Sequence, residues 1–257
     1  MLYDLTYLRL KDALAQQGCA ICRLREYYGR RYLSWFLHEQ VNDVATRLKL
    51  AQSWGFCVYH AWLLQKLEWE RCHDGMATAI LCEWLVERYC RILQHLLEES
   101  CLPKKRLWYR WRWRRSSRPA EPLFHAFAPE GICPTCTSQQ ESEAYTLQVL
   151  TQHLAEDASF QTLYKQSGGL CMPHFKAALA SAEEEQAARV LVEVQLETLG
   201  RMAAELSEYL RKHDYRFAHE PSGSEADVFI RATALLVSQD ARTGARQGTS
   251  EPPATKY

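Results

Sequence analysis

Four residues able to bind a metal recur twice along the chain at one spacing. Cys19-Ala20-Ile21-Cys22 is followed by Gly55-Phe56-Cys57-Val58-Tyr59-His60, and Cys133-Pro134-Thr135-Cys136 by Gly169-Leu170-Cys171-Met172-Pro173-His174. A spacer of 34 residues separates the inner cysteines of each copy, and a shift of 114 carries every ligand-type residue of the first copy onto the second. Cys-x-x-Cys sets two sulfurs on one turn, and Cys-x-x-His sets a sulfur beside an imidazole. Together they supply the Cys3His complement of tetrahedral zinc. Joined within each copy, the sets are Cys19, Cys22, Cys57 and His60, and Cys133, Cys136, Cys171 and His174. All four pairs are expected at helix N-termini, whose partial positive charge favours thiolates. Four protein ligands close a tetrahedron and leave no place for water, so two structural Zn2+ are expected. Iron–sulfur clusters are the competing cofactor. A dithiol redox pair fits less well, because no βαβ pattern surrounds either Cys-x-x-Cys.

The elements that position these residues read as helices. Gly and Pro are sparse, Leu, Ala, Glu, Gln and Arg plentiful, and apolar residues follow helical spacing. Leu2, Leu5, Leu8, Leu10 and Leu14 mark a first amphipathic helix stopped by Gly18. In each copy an outward helix, about 21–40 or 137–154, turns at a cap offered by Asn42 or Asp43, and by Glu156 or Asp157. A shorter helix returns and stops at Gly55 or Gly169. Because the return is shorter, residues around Trp54-Gly55 and Gly168-Gly169 must make up the distance. Long helices follow over 76–99 and 184–212, the second with Val192, Leu196, Leu199, Ala203, Leu206 and Leu210 as its apolar stripe, and the two are expected to pack together. Under the same shift Asp43 matches Asp157 and Gln52-Ser53 matches Gln166-Ser167, so the duplication extends beyond the ligands. The expected fold is all-α: two pseudo-symmetric helical repeats, each with a Cys3His site at helix N-termini, plus a C-terminal helix. The divisions are repeat one at 1–102, a connector at 103–118, repeat two at 119–217, a packing helix within 218–239 and a disordered tail at 240–257.

Composition bounds the function. The chain has 257 residues, 47% of them apolar, with 31 basic and 31 acidic side chains. Zero net charge excludes a global field for nucleic acid or membrane, so such binding must be local. The local candidate is the connector: Lys104, Lys105, Arg106, Arg110, Arg112, Arg114 and Arg115 alternate with Trp108, Tyr109, Trp111 and Trp113. Basic groups can hold phosphates while rings stack on bases or lie on an anionic membrane. The same residues also suit a linker whose tryptophans pack on the repeats. The reading is of a non-enzymatic structural-zinc protein that binds a protein or a polyanion through residues 104–118. A redox or iron–sulfur protein and an enzyme with structural metals are the alternatives. No catalytic residue is assigned, since His213-Asp214, Arg216 and His219-Glu220 gather titratable groups without a nucleophile. Cys72, Cys82, Cys90 and Cys101 occur in the first half alone and read as core or incidental residues, Cys82 on the apolar stripe. Charged residues interrupt the first 18 positions as they would not in a signal peptide, and no apolar run reaches a membrane span, so a reducing cytoplasm is the expected location.

The doubled Cys-x-x-Cys with Gly-Phe-Cys-x-x-His, the Asp43 and Asp157 turns, and Lys212-His213-Asp214-Tyr215-Arg216-Phe217 resemble a bacterial family known only as a domain of unknown function. The resemblance spans about residues 5–238, and Leu170 stands where the first copy has Phe56. It implies a duplicated metal-binding helical fold and brings no activity.

Overall fold

The computed structural model describes residues 5–98, 127–217 and 219–238. The basic connector from Lys104 to Arg115, Cys101 and the tail from 240 lie outside the described residues. No strand occurs among those described. The helices are α1 (Leu5–Leu14), α2 (Ala20–Trp35), α3 (Val44–Gln52), α4 (Val58–Cys72), α5 (Met76–Glu98), α6 (Pro134–Glu156), α7 (Ala158–Gln166), α8 (Met172–Ser181), α9 (Glu185–Lys212) and α10 (Val228–Val237). A π-helical turn, Phe36–Gln40, extends α2. Pro134 starts α6, where its missing N–H costs no bond.

Two compact units divide the chain: Met1–Tyr28 with Gln139–Tyr257, and Gly29–Ser138. This differs from the sequential division, 1–102 against 119–217, that the repeat suggests. The boundaries fall inside α2 and α6, so each unit takes part of both outward helices.

The discontinuous unit is built on Tyr7, Leu10 and Leu14 of α1, Ile21 and Leu24 of α2, Leu147, Leu150 and Leu154 of α6, Phe160 and Tyr164 of α7, and Leu191 and Val194 of α9. Each such leucine, fully buried, contributes about 2 kcal/mol of transfer free energy. α1 buries Thr6, Tyr7, Leu10, Ala13 and Leu14, while Leu5 and Leu8 point outward. The face is thus rotated from the all-leucine one, because Tyr7 packs on Phe160 and its hydroxyl donates to Asp157. α9 departs further from expectation. Its buried face is Ala187, Val190, Leu191, Val194, Gln195 and Thr198, and Leu196, on the expected stripe, is 70% exposed. Gln195 is drawn inward because its Oε1 accepts the Leu170 amide at 3.3 Å, which holds the loop before Cys171. α9 packs on α7, α8 and α10, so its burial is supplied within its own unit. α10 buries Val228, Ala232 and Leu235, while Ile230 and Leu236 are exposed.

The continuous unit has a smaller core of Leu33, Phe36, Val41, Leu50, Leu63, Leu64 and Leu81, with Phe56 edge-on to Phe36 at 5.1 Å. α5 packs on α4. The buried Glu68 of α4 caps the start of α5, accepting the amides of Ala77 at 2.6 Å and Thr78 at 3.0 Å. Trp54 stacks on Tyr89 at 4.7 Å. Cys82 is exposed rather than in the core, as are Cys72 and Cys90.

Candidate metal centres

The turns form as the sequence predicts. Asp43 accepts the Thr46 amide at 2.7 Å and starts α3. Asp157 accepts the amides of Ser159 and Phe160 and starts α7. Both return helices have nine residues, about 14 Å at 1.5 Å per residue. The outward helices are longer: 23 residues in α6, about 34 Å, and 16 in α2, about 24 Å before its π-helical extension. The connectors before Cys57 and Cys171 do not restore the difference. Four stretched residues reach at most about 14 Å, less than the roughly 20 Å lacking in the second copy, and in the first the connector is folded back. Gly55 (φ +95°) and Gly169 (φ +69°) take left-handed backbone that disfavours a side chain. The Gly55 amide donates to Leu50 O at 2.8 Å. The return path of each copy is thus shorter than its outward one.

The ligand sets are consequently exchanged between copies. Cys19 and Cys22 meet Cys171 and His174; Cys133 and Cys136 meet Cys57 and His60. This corrects the within-copy assignment, and the helix lengths are its physical reason. All eight predicted residues take part, and in each set the four ligand atoms lie within 4.8 Å of one another. Nδ1 of His174 is 3.1 Å from Cys171 Sγ, 3.2 Å from Cys22 Sγ and 3.5 Å from Cys19 Sγ. Nδ1 of His60 is 3.2 Å from Cys57 Sγ, 3.3 Å from Cys136 Sγ and 3.5 Å from Cys133 Sγ. The sulfur pairs Cys22–Cys171 and Cys57–Cys136 are 3.6 and 3.7 Å apart. A tetrahedron with Zn–S near 2.3 Å and Zn–N near 2.0 Å has edges of roughly 3.8 Å between sulfurs and 3.5 Å from sulfur to nitrogen. The donor sets fit one ion each. Cys57 and Cys171 are the N-cap residues of α4 and α8, and Cys19 and Cys133 directly precede α2 and α6. Two helix N-termini thus face each centre, as predicted, though from different copies.

A family model described as a family of unknown function, DUF6062, matches residues 1–243. The chain belongs to this family. An uncharacterised 23.9 kDa protein in the xynA 3' region of Caldicellulosiruptor sp. (strain Rt8B.4) is 23% identical over 204 residues, 79% of this chain and 86% of that protein. No solved structure matches the chain. The family resemblance read from the sequence thus holds.

The crowded donors also bear on one another electrostatically. Bonds to Cys171 and Cys22, then burial, push the Cys19 thiol up, while bonds from Cys171 and Cys19 hold Cys22 far below the ordinary thiol range. Burial opposes charge on His174, but bonds to Cys171, Cys22 and Glu143 outweigh it and raise the imidazole to about 11. Burial, then the Cys133 charge, pushes Cys136 up to about 12. A dication held by these four residues would resolve the conflicts together by taking the place of the shared protons.

Three residues that sequence reasoning missed surround the first centre. Glu143 Oε1 lies 3.2 Å from His174 Nε2 and Arg25 Nε 3.5 Å from Glu143 Oε2. The bond to His174 holds the carboxylate below its usual range. A carboxylate on the far nitrogen fixes the ring and leaves Nδ1 as the ligand atom. Ser238 Oγ is 3.0 Å from Cys22 Sγ. Glu143 sits seven residues after Cys136, on one helix face, a visible spacing whose meaning depends on the exchange. Nothing in the sequence singles out Ser238.

His213, Asp214, Arg216 and Glu220 are engaged in hydrogen bonds and ion pairs. His213 Nδ1 faces Tyr209 O at 2.7 Å, and Asp214 is held by Arg216 at 2.6 Å. Arg211 pairs with Glu208 at 2.7 Å and with Glu220. Lys212 pairs with the buried Glu225 at 2.8 Å. The neighbouring cleft, about 220 Å3, is lined by Tyr209, Lys212, His213, Ser222, Glu225 and Ala226.

Proposed function

We propose that the chain is a two-zinc helical protein whose metals are structural and whose action is to bind a protein or polyanionic partner. The observation that carries the metal assignment is the exchanged pair of closed Cys3His sets, each with ligand atoms within 4.8 Å. That spacing supports a single shared ion over an iron–sulfur cluster, whose irons and sulfides need room between the ligand sulfurs. Three thiolates and one imidazole suit Zn2+, and four protein ligands leave no position for substrate. Both centres tie together helices far apart in sequence, so binding energy is folding energy here. Eight ligand positions in two sets predict about two zinc per chain in colourless protein. Iron with acid-labile sulfide and absorption near 400 nm would overturn the zinc assignment.

The partner reading rests on Lys104, Lys105, Arg106, Arg110, Arg112, Arg114 and Arg115 among tryptophans. Salt-sensitive binding to single-stranded nucleic acid or anionic vesicles is expected, and lost when Arg110, Arg112, Arg114 and Arg115 become Ser. Failure to bind either at low salt refutes the polyanion half.

No helix among the described residues is long and apolar enough to cross a membrane. A cytoplasmic setting, where thiols stay reduced and available to metal, accords with the proposal.

A further inference from the structure

The two centres share one donor set but not one environment. All four ligands of the first are buried, whereas in the second Cys57 and Cys136 are half-exposed and Cys133 and His60 buried. The first has Glu143 against His174 and Ser238 against Cys22. The position 114 residues before Glu143 is Gly29, which has no carboxylate to offer. The sulfurs of these two partly buried residues, Cys57 and Cys136, lie 3.7 Å apart. They begin different helices, Cys57 capping α4 and Cys136 in the first turn of α6.

We propose that the centre of Cys57, His60, Cys133 and Cys136 is a peroxide-sensitive, exchangeable site, and that Cys57 and Cys136 are its reacting thiols. The proposal rests on the zinc reading above. A peroxide approaches from solvent and meets these two sulfurs first. One thiolate attacks a peroxide oxygen, the O–O bond breaks, and a sulfenic acid forms with release of hydroxide. The second thiolate attacks that sulfur and expels a second hydroxide, leaving the Cys57–Cys136 disulfide. Two electrons pass from the sulfurs to the peroxide, and two protons from solvent turn both hydroxides into water. Cys133 and His60 then remain as the only ligands, too few to retain the ion. The buried first centre keeps its metal through the same exposure. A thiol reductant reverses the disulfide and restores the ligand set.

The test uses full-length, zinc-loaded protein. Hydrogen peroxide is added with a chromogenic zinc chelator in excess, and non-reducing peptide mass spectrometry follows blocking with N-ethylmaleimide. One zinc per chain is expected to leave at least about tenfold faster than the other, together with the Cys57–Cys136 cross-linked peptide, and reduction should allow reloading. Cys72, Cys82 and Cys90 are exposed and also react, but they hold no metal, so zinc release reads the centre itself. In Cys57→Ala protein, which should keep about one zinc at the Cys19–His174 centre, the fast phase and the cross-link should both be absent, and the remaining zinc should leave at the slow rate. Equal release rates, first release from the Cys19–His174 centre, or a disulfide joining other ligands overturns the proposal. Protein that contains no zinc before peroxide is added defeats the zinc reading instead, a separate outcome.

Discussion

Removing ligands in pairs separates the exchanged arrangement from the within-copy one. The structure puts Cys22 and Cys171 in one centre, with sulfurs 3.6 Å apart, and Cys57 in the other. Each single change, Cys22→Ser, Cys171→Ser or Cys57→Ser, should lower zinc from about two per chain to about one. The doubles decide. Cys22→Ser with Cys171→Ser strikes one centre twice and should still leave about one zinc. Cys22→Ser with Cys57→Ser strikes both and should leave none. Joining the ligands within each copy predicts the reverse. A structural zinc contributes roughly 10–16 kcal/mol of apparent binding free energy, against a whole-domain stability of about 5–15 kcal/mol. Each loss should therefore also unfold much of its own unit. Native mass spectrometry with elemental analysis counts the metal. Thiol labelling gives a second reading: in Cys171→Ser the newly reactive ligands should be Cys19 and Cys22, not Cys133 and Cys136. Reactive Cys133 and Cys136, with zinc lost from both centres of the Cys22→Ser/Cys171→Ser protein, would falsify the exchange.

Further outcomes test the surrounding structure. Glu143→Gln should weaken zinc at the first centre by about 10–100-fold and leave the second unchanged, as read by chelator competition. Gly169→Ala should destabilise by about 1–2 kcal/mol in urea denaturation, because φ is +69° and the new Cβ would come within 3.1 Å of Gln195 Oε1. Tyr164→Phe should be neutral or stabilising by up to about 1 kcal/mol, since its buried hydroxyl finds no hydrogen-bond partner among the described residues. Glu225, held by the Gly223 amide and Lys212, is depressed to about 2. Its contribution to stability is thus complete above an unfolded value near 4.3 and is lost as pH falls from there towards 2. The stability gap between wild type and Glu225→Gln should close over that window, and a gap independent of pH would refute the assignment.

The sequence carried the local structure and the ligand types well. Asp43 and Asp157 cap as their side chains dictate, and the return helices end shortly before Gly55 and Gly169, at Gln52 and Gln166. Cys-x-x-Cys and Cys-x-x-His identify their chemistry by spacing. What it left ambiguous was a length. The mismatch between outward and return helices was visible, but which of the two copies closes each tetrahedron depends on packing between remote segments. The same limit explains α9. Periodicity alone favoured the stripe through Leu196, whereas the observed face includes Gln195, chosen by a hydrogen bond to a loop 25 residues away. Cys82 fits an apolar stripe in sequence yet faces solvent, because α5 presents a different side to α4.

The exchange also bears on the order in which the chain is made. During synthesis the first complete quartet to emerge is Cys19, Cys22, Cys57 and His60, which is the wrong one. A metal caught there would trap the newborn chain in a misassembled state. In the folded copy the nine-residue α3 is shorter than α2, which works against that closure. The inner centre can close once Cys136 is made. Cys22 must wait until His174, 152 residues later, which at 5–20 residues per second is about 8–30 s. For that interval an uncommitted thiol pair waits at the start of the nascent chain, and the last half of translation supplies what it needs.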